Sequence, residues 1–270
     1  MTGIPFPDID PIAIHFTETV GIRWYALSYL AGILGGWFYA CYLADLGRGR
    51  RRYPSREDID TILPLLVLGI ILGGRLGYVL FYNLDYYLQN PLDILFVWEG
   101  GMSFHGGLLG VITVCALYAR KHKFPLLALG DILATVTPIG LFFGRIANFI
   151  NGELFGRVTT VPWAVLFPYG GGLPRHPSQL YESFLEGVCL FAVLFLAARR
   201  PDIRRSTGCL SGIFITGYGI SRFIVEFYRE PDMQIGLILG YFSLGQLLSL
   251  PMIFAGVLLI RHARRSKTTA

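Results

Sequence analysis

The chain has 270 residues, of which 53% are hydrophobic and only 15% charged, with a mean hydropathy of +0.53. Soluble domains carry roughly 25% charged residues, so an ordinary soluble domain is excluded, and the apolar and aromatic content excludes a disordered chain. The net charge of +5 would suit nucleic acid if it formed one patch, but its distribution along the chain argues otherwise, and no nucleic-acid partner is expected.

The first residues, MTGIPFPDIDP, lack a basic region followed by a short apolar core, so no cleaved signal peptide is expected. Seven apolar runs follow, at about 21–44, 61–82, 102–119, 126–147, 178–198, 208–228 and 235–260. A membrane helix needs about 20 apolar residues. The pattern predicts an all-α integral membrane protein with seven transmembrane helices, forming a single membrane domain over 1–270. The third run is short and glycine-dense at its start. The longest connector, about 148–177, carries Pro162, Pro168, Gly170, Gly171, Gly172, Pro174 and Pro177 around the apolar stretch VPWAVLFP. It is expected to pack on the outer membrane face.

Basic residues orient such a protein, because cytoplasmic loops retain Lys and Arg. The first connector holds Arg48, Arg50, Arg51, Arg52 and Arg56, and the third Arg120, Lys121 and Lys123. The fifth holds Arg199, Arg200, Arg204 and Arg205, and the tail Arg261, Arg264, Arg265 and Lys267. Sixteen of the 23 basic residues thus fall on one side. The N-terminus is expected outside and the C-terminus in the cytoplasm. Cys41, Cys115, Cys189 and Cys209 lie far apart in or beside apolar runs, with no disulfide framework or metal-ligand spacing.

Charged groups at membrane depth cost roughly 2.5–3.5 kcal/mol each on the insertion scale, so they are informative. Arg75, His105, Arg145 and Arg222 come from four different runs. The predicted topology brings all four to the outer half of the bilayer, Arg75 and Arg222 at roughly 10 Å depth given 1.5 Å per residue. Arg75, within GGRLGY, is the most structural of them. Tyr218, Arg222 and Glu226 recur at i, i+4 and i+8 and share a helix face, so Glu226 is suited to neutralise or hold Arg222. Arg145 and Asn148 are neighbours on a helix surface. Asn151, Gly152, Glu153 and Gly156 then lead the chain out of that helix. Gly106 and Gly107 permit close approach to His105. Gln179, Glu182 and Glu186 share one face of the fifth helix, and Tyr25 enters with the first helix at the same level. His176, before Pro177, is a weaker candidate base.

Arginines at this depth suit a lipid phosphate, since guanidinium is a planar, permanently charged partner for it. They would help most where phosphate is a leaving group. A nearby histidine can act as general base. The residues alone indicate a lipid-modifying enzyme or an anion-binding membrane protein.

The segments GGMSFHGGLLG, GRIANFINGELFG, RHPSQLYE and GYGISRFIVEFYREPD, in this order, resemble the prolipoprotein diacylglyceryl transferase family, and the resemblance spans nearly the whole chain. It implies an enzyme of the bacterial cytoplasmic (inner) membrane, with its site toward the outer, periplasmic leaflet. The reaction implied moves the diacylglyceryl group of phosphatidylglycerol onto the lipobox cysteine of a prolipoprotein signal peptide. The products are a thioether and glycerol phosphate, and no cofactor or metal is required. The partners implied are phosphatidylglycerol, prolipoprotein signal peptides and membrane lipids. By the same resemblance, Arg145 binds phosphatidylglycerol and Arg222 is the second essential arginine, with Tyr218 and Glu226 as its motif neighbours. His105 is the proposed base, and Asn148, Glu153, Gly156 and Tyr25 match further positions important to activity.

An anion transporter is the alternative. It would need polar groups along the whole membrane depth, whereas the inner halves of these runs are almost wholly apolar. A retinal protein is excluded, because Lys121, Lys123 and Lys267, the only lysines, all fall on the basic side.

Overall fold

A computed structural model describes residues 3–17, 21–50, 52–230 and 242–268. Arg51, the side chain of Lys267 and residues 235–241 of the seventh predicted run lie outside the described residues. Each of the seven apolar runs contains a helix. Among the described residues, five helical stretches are long and apolar enough to cross a membrane: Trp24–Leu46, Arg56–Tyr82, Leu126–Ile150, Ser178–Arg199 and Leu244–Arg265. The third and sixth runs form Phe104–His122 and the shorter apolar helix Cys209–Val225.

The chain divides into two compact units, one of Met1–Tyr39 with Asp131–Ala270 and the other of Ala40–Gly130. The smaller unit is built on α2 (Arg56–Tyr82), α3 (Leu84–Gln89) and α4 (Phe104–His122), preceded by the end of α1 (Trp24–Leu46). Ser55 and Asp58 form a reciprocal capping box that starts α2, satisfying backbone donors that a helix start leaves open. Tyr118 donates to Asp58 (3.0 Å), and His122 stacks on Tyr118 at 4.1 Å between ring centres.

Glycines decide how α2 and α4 meet. A Cβ on Gly73 would run into the carbonyl of Gly106, and one on Gly110 into the carbonyl of Gly69. A Cβ on Gly77 would come 2.8 Å from Cα of Gly106. The backbones touch through a stripe of small residues, as membrane helices do where no side chain intervenes. The approach that the sequence anticipates at Gly106 is therefore made by another backbone.

Arg75 organises the loop between α3 and α4. It is 4% exposed and donates to the carbonyls of Asp93 (2.6 Å), Ile94 (2.9 Å), Phe96 (3.2 Å), Gly100 (2.5 Å) and Gly101 (3.3 Å). Its guanidinium also lies 5.1 Å from the centre of the Tyr87 ring. A buried charge needs such partners, and here they are backbone oxygens within the 3-10 turn Pro91–Leu95 and on either side of the turn Val97–Glu99.

The larger unit holds the first part of α1, most of α5 (Leu126–Ile150), α6 (Ser178–Glu182), α7 (Leu190–Arg199), α8 (Pro201–Arg204), α9 (Cys209–Val225) and α10 (Leu244–Thr268). Between α6 and α7 the chain makes a π-helical turn, Ser183–Cys189. Asp131, 3% exposed, caps α9 by accepting from the backbone of Gly208 (2.7 Å) and Ser211 (2.8 Å) and from the Ser211 hydroxyl (2.8 Å). The α9–α10 contact is again glycine-lined, at Gly212, Gly219 and Gly256.

Two small sheets accompany these helices among the described residues. β1 (Ile4–Pro5) runs parallel to β4 (Val165–Leu166), which pairs antiparallel with β5 (Pro174–Arg175). β2 (Ile12–His15) pairs antiparallel with β3 (Gly21–Arg23). The connector predicted at 148–177 is thus partly a hairpin that receives an N-terminal strand. Backbone pairing explains its order despite its prolines and glycines, and none of this pairing shows as periodicity in the sequence.

Candidate active site

In the larger unit, α5, α6 and α9 bring arginines and carboxylates together. Gln179, Glu182 and Glu186 have no exposed surface, as their shared face predicts. Glu182 stands at the last position of α6, where the π-helical turn begins. Its Oε1 accepts from Nη1 of Arg222 (2.8 Å) and from Nη1 of Arg229 (3.0 Å). Its Oε2 lies 3.0 Å from Nε of Arg145. Nη2 of Arg145 is 3.6 Å from Glu186 Oε2, and Nη2 of Arg222 is 2.9 Å from Glu226 Oε2. The three arginine side chains are 15–18% exposed. Each is partly buried and held against a fully or nearly buried acid. Pairing of this kind offsets the cost of removing charge from water.

Several of these contacts are ion pairs without hydrogen-bond alignment. Both oxygens of Glu186, Oε2 of Glu182 and Oε2 of Glu226 make no hydrogen bond among the described residues, and neither does Oε1 of Gln179. A buried acceptor left in this way costs about 1–3 kcal/mol. Three of these oxygens are instead held by charge, 2.9–3.6 Å from arginine nitrogens, and it is the guanidinium groups, each with five donors, that an anionic guest would meet here. Tyr218, on α9, stands in the electrostatic field of Glu186, Arg222, Arg145 and Glu182.

A second group lies where α5 ends. Asn148 donates to Glu153 Oε1 (2.8 Å), and Asn151 approaches the same oxygen at 3.4 Å. Gln179 donates to the Glu153 carbonyl (2.6 Å), and Ser178 to that of Leu154 (3.1 Å). Tyr25 is within hydrogen-bonding reach of Asn148 and also contacts the Tyr29 hydroxyl at 3.4 Å. Asn148 therefore turns to Glu153 and Tyr25, although its spacing would also have allowed it to lie beside Arg145.

Gly156 fits where no larger residue would. A Cβ there would run into the Tyr228 carbonyl and lie 2.8 Å from Cβ of His176. Its N–H donates to the His176 carbonyl (2.8 Å), and the Arg157 N–H donates to that of Tyr228 (2.9 Å). Arg157 Nε donates to the Arg229 carbonyl (2.8 Å), and Arg175 pairs with Glu230 at 2.8 Å. The 156–176 segment is thereby pinned to the chain just after α9, the stretch that carries Arg229. His176 contacts the Tyr181 hydroxyl through Nδ1 (3.1 Å), and Trp163 donates to the same hydroxyl (2.7 Å). Burial holds the His176 pKa below its ordinary value and favours the neutral ring.

His105 belongs to the other unit. It sits in the first turn of α4, is exposed, and meets the Phe104 ring edge-on at 5.6 Å. Ser103 starts that helix by accepting from the Gly106 N–H (3.2 Å). Among the described residues, no cluster of His, Cys, Asp or Glu has the composition of a metal site.

The family model for prolipoprotein diacylglyceryl transferase matches residues 11–262. The chain belongs to that family. Relatives named phosphatidylglycerol--prolipoprotein diacylglyceryl transferase extend the match to nearly full length. That of Azospirillum brasilense is 57% identical over 98% of this chain and 98% of its own. That of Rhodospirillum centenum is 54% identical over 97% and 95%. That of Rhodospirillum rubrum is 53% identical over 99% and 97%.

Of the residues singled out from sequence, the structure gathers Arg145, Arg222, Glu226 and Tyr218 around Glu182. It gathers Tyr25, Asn148 and Glu153 at the end of α5. Sequence reasoning left Arg229 unassigned, although it follows Arg222 by seven residues, a spacing that returns to the same helix face. Because α9 ends at Val225, that spacing alone would not have placed it. The acids Glu182 and Glu186 were legible as a face, but their arginine partners were not.

Proposed function

We propose that this family member transfers the diacylglyceryl group of phosphatidylglycerol to the lipobox cysteine of prolipoproteins. The observation that carries this reading is the set of three part-buried arginines converging on one buried carboxylate. In an apolar protein, that set fits the phosphate of a membrane lipid. The thiolate sulfur attacks the glyceryl carbon that bears the phosphate ester. The C–S bond forms as the C–O bond breaks, and the electron pair leaves with glycerol phosphate. Arg145 and Arg222 bind the phosphate and stabilise the charge that grows on it. His105 takes the thiol proton, which matters because a free thiol has a pKa of about 8.5; this role rests on its motif. Tyr25, Asn148, Glu153 and Gly156 shape the substrate site, with Tyr218 and Glu226 supporting Arg222.

Seven spans, with the N-terminus outside and the C-terminus in the cytoplasm, remain the topology that the basic connectors favour. The reaction then takes place in the outer leaflet of the cytoplasmic membrane, within one membrane domain over 1–270. The family match favours the transferase over an anion transporter. The decisive experiment presents a single-cysteine lipobox peptide to the purified protein in phosphatidylglycerol vesicles. A thioether-linked diacylglyceryl adduct, absent with a cysteine-free peptide, is expected. Failure of folded protein to form it, with lipid and peptide accessible, would refute the reading.

A further inference from the structure

We infer that Glu182 is a positioning residue for phosphatidylglycerol, setting the meeting point of Arg145, Arg222 and Arg229; this rests on the transferase reading above. Among the described residues, Glu182 is the one carboxylate that contacts all three arginines, by Oε1 to Arg222 and Arg229 and by Oε2 to Arg145. Glu186 pairs with Arg145 alone and Glu226 with Arg222 alone among the described residues. The three arginines come from α5, α9 and the segment after α9. Their mutual repulsion would drive them apart without a shared counter-charge. Glu182 has no exposed surface, so it serves substrate only through the guanidinium groups it holds.

Its own placement is fixed. Gln179, one turn earlier, is tied to the Glu153 carbonyl, and Ser183, the next residue, donates to the Phe142 carbonyl (3.3 Å). The π-helical turn begins at Ser183. Such turns are rare and concentrate at functional sites, because an inserted residue re-aims the side chains around it. Arg145 and Arg229 each engage Glu182 by one edge of the guanidinium. Guanidinium carries five donors, so further donors can turn to a phosphate.

The test uses the full-length protein in phosphatidylglycerol vesicles diluted with phosphatidylcholine, so that kcat and KM for the lipid are read separately. Glu182→Asp retains the charge but withdraws the meeting point by one methylene. An error of about 1 Å in positioning can cost 10²-fold, so kcat is expected to fall by about that factor. The thermal midpoint should stay near wild type. A purely charge-balancing Glu182 would leave the Asp variant fully active, and that result overturns the inference. The second readout compares Glu182→Gln, Arg229→Gln and the double variant. If Glu182 acts through Arg229, the double loses less than the product of the two single losses; the full product overturns the inference, and this comparison decides alone if the Asp variant does not fold. An inactive wild type removes the transferase reading and this inference with it.

Discussion

Replacing Arg222 by lysine separates charge from shape. The guanidinium of Arg222 reaches two acids at once, Glu182 through Nη1 at 2.8 Å and Glu226 through Nη2 at 2.9 Å. An ammonium group is a compact point charge and cannot reproduce the rigid fork. Arg222→Lys keeps one of the two contacts and loses the other. The contact to Glu182 is the aligned hydrogen bond, and a hydrogen bond to a charged group contributes about 1.5–3 kcal/mol; where lysine gives that bond up, about 2 kcal/mol is expected to be lost, or roughly 30-fold in kcat/KM at 1.4 kcal/mol per tenfold. Arg222→Gln loses the charge as well. Removing a donor aimed at developing charge costs about 10²–10³-fold, so the order is Arg over Lys over Gln. The assay is peptide mass against time in phosphatidylglycerol vesicles, with thermal unfolding of each variant measured alongside. A lysine variant with wild-type kcat/KM would refute the claim that the fork matters. A glutamine variant equal to lysine would show that the charge itself contributes nothing.

Asp131→Ala should destabilise the protein by about 3 kcal/mol, because it strips the α9 start of three hydrogen bonds and leaves buried donors unpaired; denaturant unfolding in detergent would measure it. Gly106→Ala should lower the thermal midpoint, since the new methyl meets the Gly73 carbonyl and Cα of Gly77, whereas Gly140→Ala, with open space around it, should not. His176 has a pKa depressed by burial, so between its folded value and the ordinary value near 6.5 the unfolded chain binds the proton first. Stability is then full above pH about 6.5 and declines as pH falls through the folded pKa; His176→Gln should flatten the slope of thermal midpoint against pH in that window. His105→Gln should slow transfer without altering the thermal midpoint by more than a degree or two, and full turnover would remove the base role from His105 while leaving the arginines in place.

The helices were legible because apolar length is a strong signal and because charge marks their ends. The short strands were not. β1, β4 and β5 have two residues each, too few for a period to show, and β1 depends on pairing between residues about 160 apart, Ile4 with Val165. No local pattern encodes that. The two arginines expected to act were found from their cost in a membrane. Arg229 escaped because it follows the end of a helix, and its position is set by the Arg157 and Gly156 backbone contacts of a distant loop. Arg75 also has that cost, and its glycine-rich setting pointed to structure; the five carbonyls that receive its donors come from turns whose geometry the sequence does not display.

The ion-pair cluster explains how one site can be both tolerable in a membrane and receptive to an anion. Three guanidinium groups without acids would be too costly to fold into an apolar unit, and acids matched to every donor would leave nothing for a phosphate. Here the acids are shared and imperfectly aligned. Glu182 serves three arginines, Glu186 lies 3.6 Å from its only ion-pair partner among the described residues, Arg145, and four acid oxygens lack hydrogen bonds. A phosphate brought to the exposed edges of these arginines would gain donors already oriented in a low-dielectric setting, where each is stronger than in water. Most of the ordering cost is met when the protein folds, so the interaction can grow as charge passes to the departing phosphate. This is the condition for lowering a barrier rather than merely tightening lipid binding.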